Sequence, residues 1–232
     1  ILDELEQGVG VVACNTLVLG LLREALVAQA RAALERLPAD ERGTSVLLNR
    51  LGRLLKRMGQ LEEARPLYEE NMQGCRETLG DRHPDTLLSI GNMGMLLQDM
   101  GKLEEAMPLF DEALQACRET LGDRHRHTLT SINNMGGLLR DMGKLEEARP
   151  LFEEALQAKR ETLGDRHPST LFSINNMSGL LKEMGKLEEA RPLREEAVQG
   201  LRETLGERHP DTLLSISNLA DLLRETGALV EA

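Results

Sequence analysis

Arg50, Arg53, Lys56 and Arg57 crowd one short stretch that contains no acid between Thr44 and Met58. They do so in a chain with 39 acids, 28 bases and a net charge of -11. Arg50, Arg53 and Arg57 are spaced three and four apart, which puts them on one face if the stretch is helical. Such a face can take an acidic segment of another chain through charge-assisted hydrogen bonds. It can equally be a solvated helix surface. A second set is made of amides. Asn92, Asn134, Asn176 and Asn218 recur at a constant spacing of 42 residues, and Asn133 and Asn175 stand beside two of them. An asparagine offers a donor and an acceptor, as an extended peptide backbone requires. It can also bond a neighbouring carbonyl and merely hold helices together. Arg140 and Lys182 lie on the same stretches, each followed by an acid, Asp141 or Glu183.

Other reactive residue types lead to less. His83, His125, His167 and His209 recur with the same spacing, and His127 forms a His-x-His pair with His125. One His pair without a third ligand is a poor zinc site. These rings are expected to pack or bond within their loops. Cys14, Cys75 and Cys117 are too scattered for a Cys-x-x-Cys motif and are read as reduced thiols of a cytoplasmic protein. There is no phosphate-binding glycine loop, nucleophile elbow or acid pair confined to one place. The expectation is a non-enzymatic protein with no cofactor and no metal. A basic stripe interleaved with aromatics, as nucleic-acid binding would require, is missing, since aromatics are 2% of the chain. Val9–Leu22 is the most apolar run, too short to span a bilayer and with no basic segment before it, so no membrane association is expected.

What positions these residues is a tandem repeat. The octapeptide Leu-Gly-Asp-Arg-His-Pro-Asp-Thr at Leu79–Thr86 returns, nearly intact, from Leu121, Leu163 and Leu205. A fixed period of 42 residues without insertions predicts stacked structural units rather than one globule. In the copy from Thr128 to Pro168, Ile132, Met135, Leu138, Leu139 and Met142 give one helical stripe, and Gly143 ends it. Leu145, Ala148, Leu151, Phe152, Ala155 and Leu156 give a second, stopped by Gly164. Pro168 can open the next helix, where its missing N–H costs nothing. Each unit is therefore a pair of antiparallel helices, here called A and B. Gly136 and Ala148 are small enough for close approach, and Phe152 fills the space between units. Helix A should pack on its own helix B and on the preceding one. Pro66, Pro108, Pro150 and Pro192 recur in the second turn of helix B, where a slight bend is expected. Residues 1–43 are read as a worn first repeat or N-terminal cap, and residues 44–232 as four full repeats and a truncated fifth. The chain starts without Met and stops inside a repeat, as a piece of a longer protein would.

The pattern Ile132-x2-Met135-Gly136-x2-Leu139, followed by Ala148-x3-Phe152-x2-Ala155, resembles the tetratricopeptide repeat. The 42-residue period, the Asn-Asn-Met-Gly of helix A, the Lys-Leu-Glu-Glu-Ala-Arg-Pro-Leu-Phe of helix B and the Gly-Asp-x-His-Pro loop are similar to the kinesin light chain and nephrocystin-3-like type. The resemblance covers about residues 44–232 and implies an all-α, right-handed superhelical solenoid of antiparallel helix pairs. It implies a concave groove lined by helix A, where Asn92, Asn133, Asn134, Asn175, Asn176 and Asn218 can clamp a peptide backbone or carboxylate. It also implies acidic peptides with an apolar anchor as ligands, which suits Arg50, Arg53, Lys56, Arg57, Arg140 and Lys182. Arg194 in place of the phenylalanine, Asn71 in place of the small Ala155 and Ser178 in place of Gly136 depart from the pattern. The leading expectation is a scaffold that binds a protein or peptide partner. A structural spacer or self-assembly element, and the recruitment portion of a larger signalling or motor-adaptor protein, stay open. In the last helix, residues 212–226, Leu213, Ile216, Leu219, Leu222 and Leu223 are expected to be partly uncovered.

Overall fold

The computed structural model describes residues 24–227. The apolar run Val9–Leu22, Cys14 and most of the first repeat or cap therefore lie outside the described residues. Those described form helices joined by short turns, with no strand among them. The helices are α1 (24–35), α2 (Ala39–Arg42), α3 (Val46–Arg57), α4 (Leu61–Leu79), α5 (Pro84–Asp99), α6 (Leu103–Leu121), α7 (Arg126–Asp141), α8 (Leu145–Leu163), α9 (Pro168–Glu183), α10 (Leu187–Leu205) and α11 (Pro210–Glu225). They fall into two compact units, parted between Met100 and Gly101.

The boundaries follow from the residues. Helices α5, α9 and α11 begin on a proline at their first position, as its fixed φ and absent N–H favour. The histidine before each is the N-cap. His83, His125, His167 and His209 use Nδ1 to accept the N–H of Asp85, His127, Ser169 and Asp211 at 3.1–3.2 Å. The recurrent imidazoles thus close helix ends, a structural role. Helix B stops at Gly80, Gly122, Gly164 or Gly206, whose φ of 84–88° only glycine adopts freely. Three of the four threonines after these loops tie them down: Thr86 Oγ1 donates to Cys75 O at 3.2 Å and Gly80 O at 2.8 Å, Thr128 repeats this with Cys117 and Gly122, and Thr212 Oγ1 donates to Leu201 O at 3.3 Å, whereas Thr170 Oγ1 is buried without a partner among the described residues. Each helix B runs unbroken through its proline. The expected bend is no interruption; one main-chain hydrogen bond is lost and the rest of the 19-residue helix holds.

In the first unit α4 packs against α3 on one side and α5 on the other. In the second, α7 lies between α6 and α8, α9 between α8 and α10, and α11 against α10. This is the alternation expected from two apolar stripes, neither of which a helix can bury alone. Leucine, isoleucine and methionine fill the core together with Tyr68, Phe110 and Phe152, all fully buried. Phe152 lies over Gly136 of its own pair, its ring 3.1–3.3 Å from where a Cβ at Gly136 would stand. Tyr68 lies over Gly52 in the same way.

The first helix A departs from the later ones. It begins only at Val46, capped by Ser45, whose Oγ accepts the Leu47 N–H at 3.2 Å. Ala39–Arg42 form a short helix where the later copies have loop. Gly43 then crosses Gly74 of α4 so closely that a Cβ on Gly74 would sit 2.4 Å from the Gly43 Cα. Asn71, which replaces the small residue of the pattern, is buried there and donates to Gly43 O at 2.9 Å. Gly74→Ala is therefore expected to cost about 1–3 kcal/mol through forced separation of the two backbones. Urea unfolding of the variant checks this, and an unchanged midpoint would show that the crossing is loose.

Among Leu213, Ile216, Leu219, Leu222 and Leu223, one expectation fails. Leu222 is fully buried, because it points at α10 rather than away from it. Leu213 is exposed and the other three are half-buried.

Candidate functional site

In the first unit the site residues lie on α3. Leu48, Leu51, Gly52 and Leu55 bury one side of it, so the opposite side must face out. Arg50, Arg53 and Arg57 are there, all exposed, and no described carboxylate lies within ion-pair distance of any of them. Lys56 behaves differently. Its Nζ is 3.0 Å from Asp99 and 3.4 Å from Met95 O, both on α5. Buried Tyr68 lies behind this face. Burial pushes its hydroxyl up to about 12, Arg53 pulls against that, and Asp99 adds to it. Asn92 is buried on α5, which removes it from the candidate contact surface.

The second unit sorts its amides in two. Asn133 is buried. Its Nδ2 donates to Leu129 O at 3.0 Å and to Ser173 Oγ at 3.2 Å, and its Oδ1 accepts from the same hydroxyl at 3.3 Å. It holds α7 to α9 and is corrected from a peptide clamp to a helix-to-helix tie. Asn134, Asn176 and Asn218 are half-buried and have no side-chain hydrogen bond to any described residue. Asn175 is half-buried as well and accepts from Arg194 Nη1 at 3.5 Å. Arg140 and Lys182, near the ends of the later A helices, are partnered from within. Arg140 lies 3.0 Å from Asp141 and 3.8 Å from Glu183, and Lys182 lies 2.8 Å from Glu225. Lys56, Arg140 and Lys182 thus share one device, in which each base reaches the acid at the end of the following helix A. Arg57 occupies the register of those acids, and Arg50 that of Asn92, Asn134, Asn176 and Asn218.

Two features escaped the sequence reading. The first is an apolar row at the start of helix A. Val46 and Leu88 are exposed in the first unit, and Phe172 and Leu214 are 59% and 63% exposed in the second. All four occupy one register, with Thr130 as the exception. The signal was the period itself, but Thr130 is what that register holds in the copy from Thr128 to Pro168, so a stripe read from that copy misses it. Phe172 and Leu214 stand one helical turn before Asn176 and Asn218, on the same face.

The second feature is a pair of buried cations. Lys159 takes the place of Cys75, Cys117 and Leu201, is 6% exposed, and donates from Nζ to Ser173 Oγ at 2.9 Å. No described carboxylate pairs with it, and burial pushes its amine down to about 8. Arg194 takes the place of Tyr68, Phe110 and Phe152 and is also 6% exposed. Its Nε has no acceptor, and burial depresses its basicity. Sequence showed both substitutions, but depth in the core is a tertiary property.

Cys75 and Cys117 are free and buried. Burial raises both thiols against the lowering effect of Ser89 and Ser131. Neither has the exposed, electropositive setting of a reactive cysteine. Among the described residues no group of three metal-ligating side chains converges, and no helix is long and apolar enough to cross a membrane.

The chain matches the family model described as tetratricopeptide repeat over residues 43–106, 87–161, 127–198 and 171–232. No curated protein matches it. Among solved structures, BtubC (BKLC) from P. vanneervenii aligns with a TM-score of 0.74 at 20% identity, over 88% of this chain and 84% of that one. A kinesin light chain-type protein of Podosopora anserina with nearly identical TPR-like repeats aligns with a TM-score of 0.66 at 28% identity, over 78% and 86%. A single-substitution variant of that protein gives 0.67 at 28% identity, over 78% and 85%.

Proposed function

The chain belongs to the tetratricopeptide repeat family, an all-α repeat solenoid that serves as a protein–protein interaction scaffold, and from that premise we propose that its helix-A faces bind an extended acidic peptide without catalysing a reaction. One observation carries this reading. Toward the ends of the later A helices, Arg140, Lys182 and Arg224 are each paired with an acid of their own unit, whereas Arg50, Arg53 and Arg57 stand exposed with no described carboxylate beside them. The three guanidiniums offer planar donor forks that match carboxylates. Half-buried Asn134, Asn176 and Asn218, with open donors and acceptors, suit the backbone of such a peptide. Exposed Val46 and Leu88 in the first unit, and Phe172 and Leu214 in the second, each suit apolar side chains alternating with acids. The buried free thiols fit a cytoplasmic setting.

The test is a peptide array followed by titration of the best acidic hit. Reversing Arg50, Arg53 and Arg57 to glutamate should weaken binding at least tenfold, since charge-assisted hydrogen bonds contribute about 1.5–3 kcal/mol each. Affinity should also fall as salt rises from low to moderate ionic strength. Binding indifferent to both salt and charge reversal would remove the acidic ligand from the proposal.

A further inference from the structure

The second unit buries two cations, and its own residues account for only one. Lys159 Nζ donates a hydrogen bond to Ser173 Oγ, which is itself held by Asn133. Arg194 has no such closure. Its Nε–H meets no acceptor, its only side-chain hydrogen bond among the described residues is the long one from Nη1 to Asn175, and none of the described carboxylates is within ion-pair distance. A buried guanidinium left this way is strongly unfavourable unless something else completes its shell. By register, Asn175 and Ser215 repeat the pair Asn133 and Ser173, yet Ser215 Oγ is buried without a partner and Asn175 turns to Arg194 instead. The arginine thus leaves this joint unsatisfied where the preceding one is closed.

The surroundings point to what completes it. Asn175, unlike Asn133, is partly open to solvent. Phe172 lies three residues before it, on the same side of α9, with its ring exposed. An apolar side chain, a carboxamide and the tip of a guanidinium therefore follow one another along a single helix face. We propose that Arg194, positioned by Asn175, receives a carboxylate of a bound peptide, while an apolar residue of that peptide rests on Phe172. This rests on the helix-A peptide reading above and adds to it a second acid-recognition point, buried where the arginines of α3 are exposed.

The experiment uses the full chain carrying Arg50→Gln, Arg53→Gln and Arg57→Gln, so that the first unit no longer selects acids. The probes are a blocked heptapeptide of alternating leucine and glutamate and its glutamine counterpart. The glutamate peptide should bind at least tenfold tighter than the glutamine one and should shift the Arg194 Nε–H resonance downfield. Arg194→Met should abolish that preference while raising the melting temperature, and Arg194→Lys should restore part of it. A preference that survives Arg194→Met, or an Nε–H resonance that the glutamate peptide leaves unmoved, overturns the inference. Selective binding by the unaltered chain with none by the triple variant also overturns it, and leaves the peptide reading standing. Failure of the glutamate peptide to bind the unaltered chain removes both.

Discussion

Lys159→Leu stabilises the protein by about 3 kcal/mol near neutral pH, and the gain vanishes as pH approaches 10.5. The size follows from moving the amine from its ordinary 10.5 to about 8, a tenfold change in proton affinity being equivalent to about 1.4 kcal/mol. The sign follows from counting protons. Below pH 8 the folded and unfolded chains both hold the proton, and the folded state bears the full cost of a buried charge. Between 8 and 10.5 the folded amine is neutral while the unfolded one is still charged, so unfolding takes up a proton and stability rises with pH. Above that range the two forms are equally neutral. Leucine already fills this register at Leu201, and Ser173 keeps its exchange with Asn133 when the amine is removed. Cys75 and Cys117 act in the opposite sense. Their raised thiols retain protons longer in the folded state, so their contribution is full below pH 9 and is lost above it. Both are present in parent and variant and cancel in the comparison. Urea unfolding of the two proteins near pH 7 and near pH 10 decides the matter. Parallel stability curves would mean that water or a rotated side chain solvates the amine.

What the sequence disclosed was whatever repeats. The 42-residue period, the proline and glycine at helix ends and the two apolar stripes fix helix pairs, because each is a local or nearest-neighbour requirement met four times over. The imidazoles could be seen to serve their loops, though not that Nδ1 caps the helix, since that depends on the rotamer. The candidate site was harder to read. Asn133 and Asn134 are adjacent in one motif, yet one ties two helices and the other faces out. The difference is about 100° of helical rotation relative to the next helix, which a one-dimensional pattern does not contain. Arg50 and Lys56 look alike as letters, but Asp99 neutralises only Lys56. Arg194 was visible as a departure from the pattern, Lys159 in the register of Cys75 and Cys117 went unread, and the energetic meaning of both appeared only with their burial.

Phe152→Ala is expected to destabilise the second unit by about 3–5 kcal/mol. The ring is fully buried and fills the space that Gly136 leaves on the facing helix, so nothing nearby can collapse into the cavity. The contact is tight in the other direction too. A Cβ at Gly136 would meet the ring at 3.1 Å, and Gly136→Ser should cost about 1–3 kcal/mol. Ring and glycine therefore form a matched pair, as Tyr68 and Gly52 do in the first unit. In the last complete pair both members differ at once. Arg194 replaces the ring and Ser178 the glycine, because the slender stem of an arginine leaves room for a side chain that a phenyl ring does not. Arg194→Phe alone should therefore gain little, since the new ring would press on Ser178. Combined with Ser178→Gly it should gain clearly, with a coupling of about 1–3 kcal/mol between the two changes. A double-mutant cycle in urea measures that coupling directly. Strict additivity would mean that the ring and the small residue opposite it are chosen independently, and that the two departures in this repeat have separate causes.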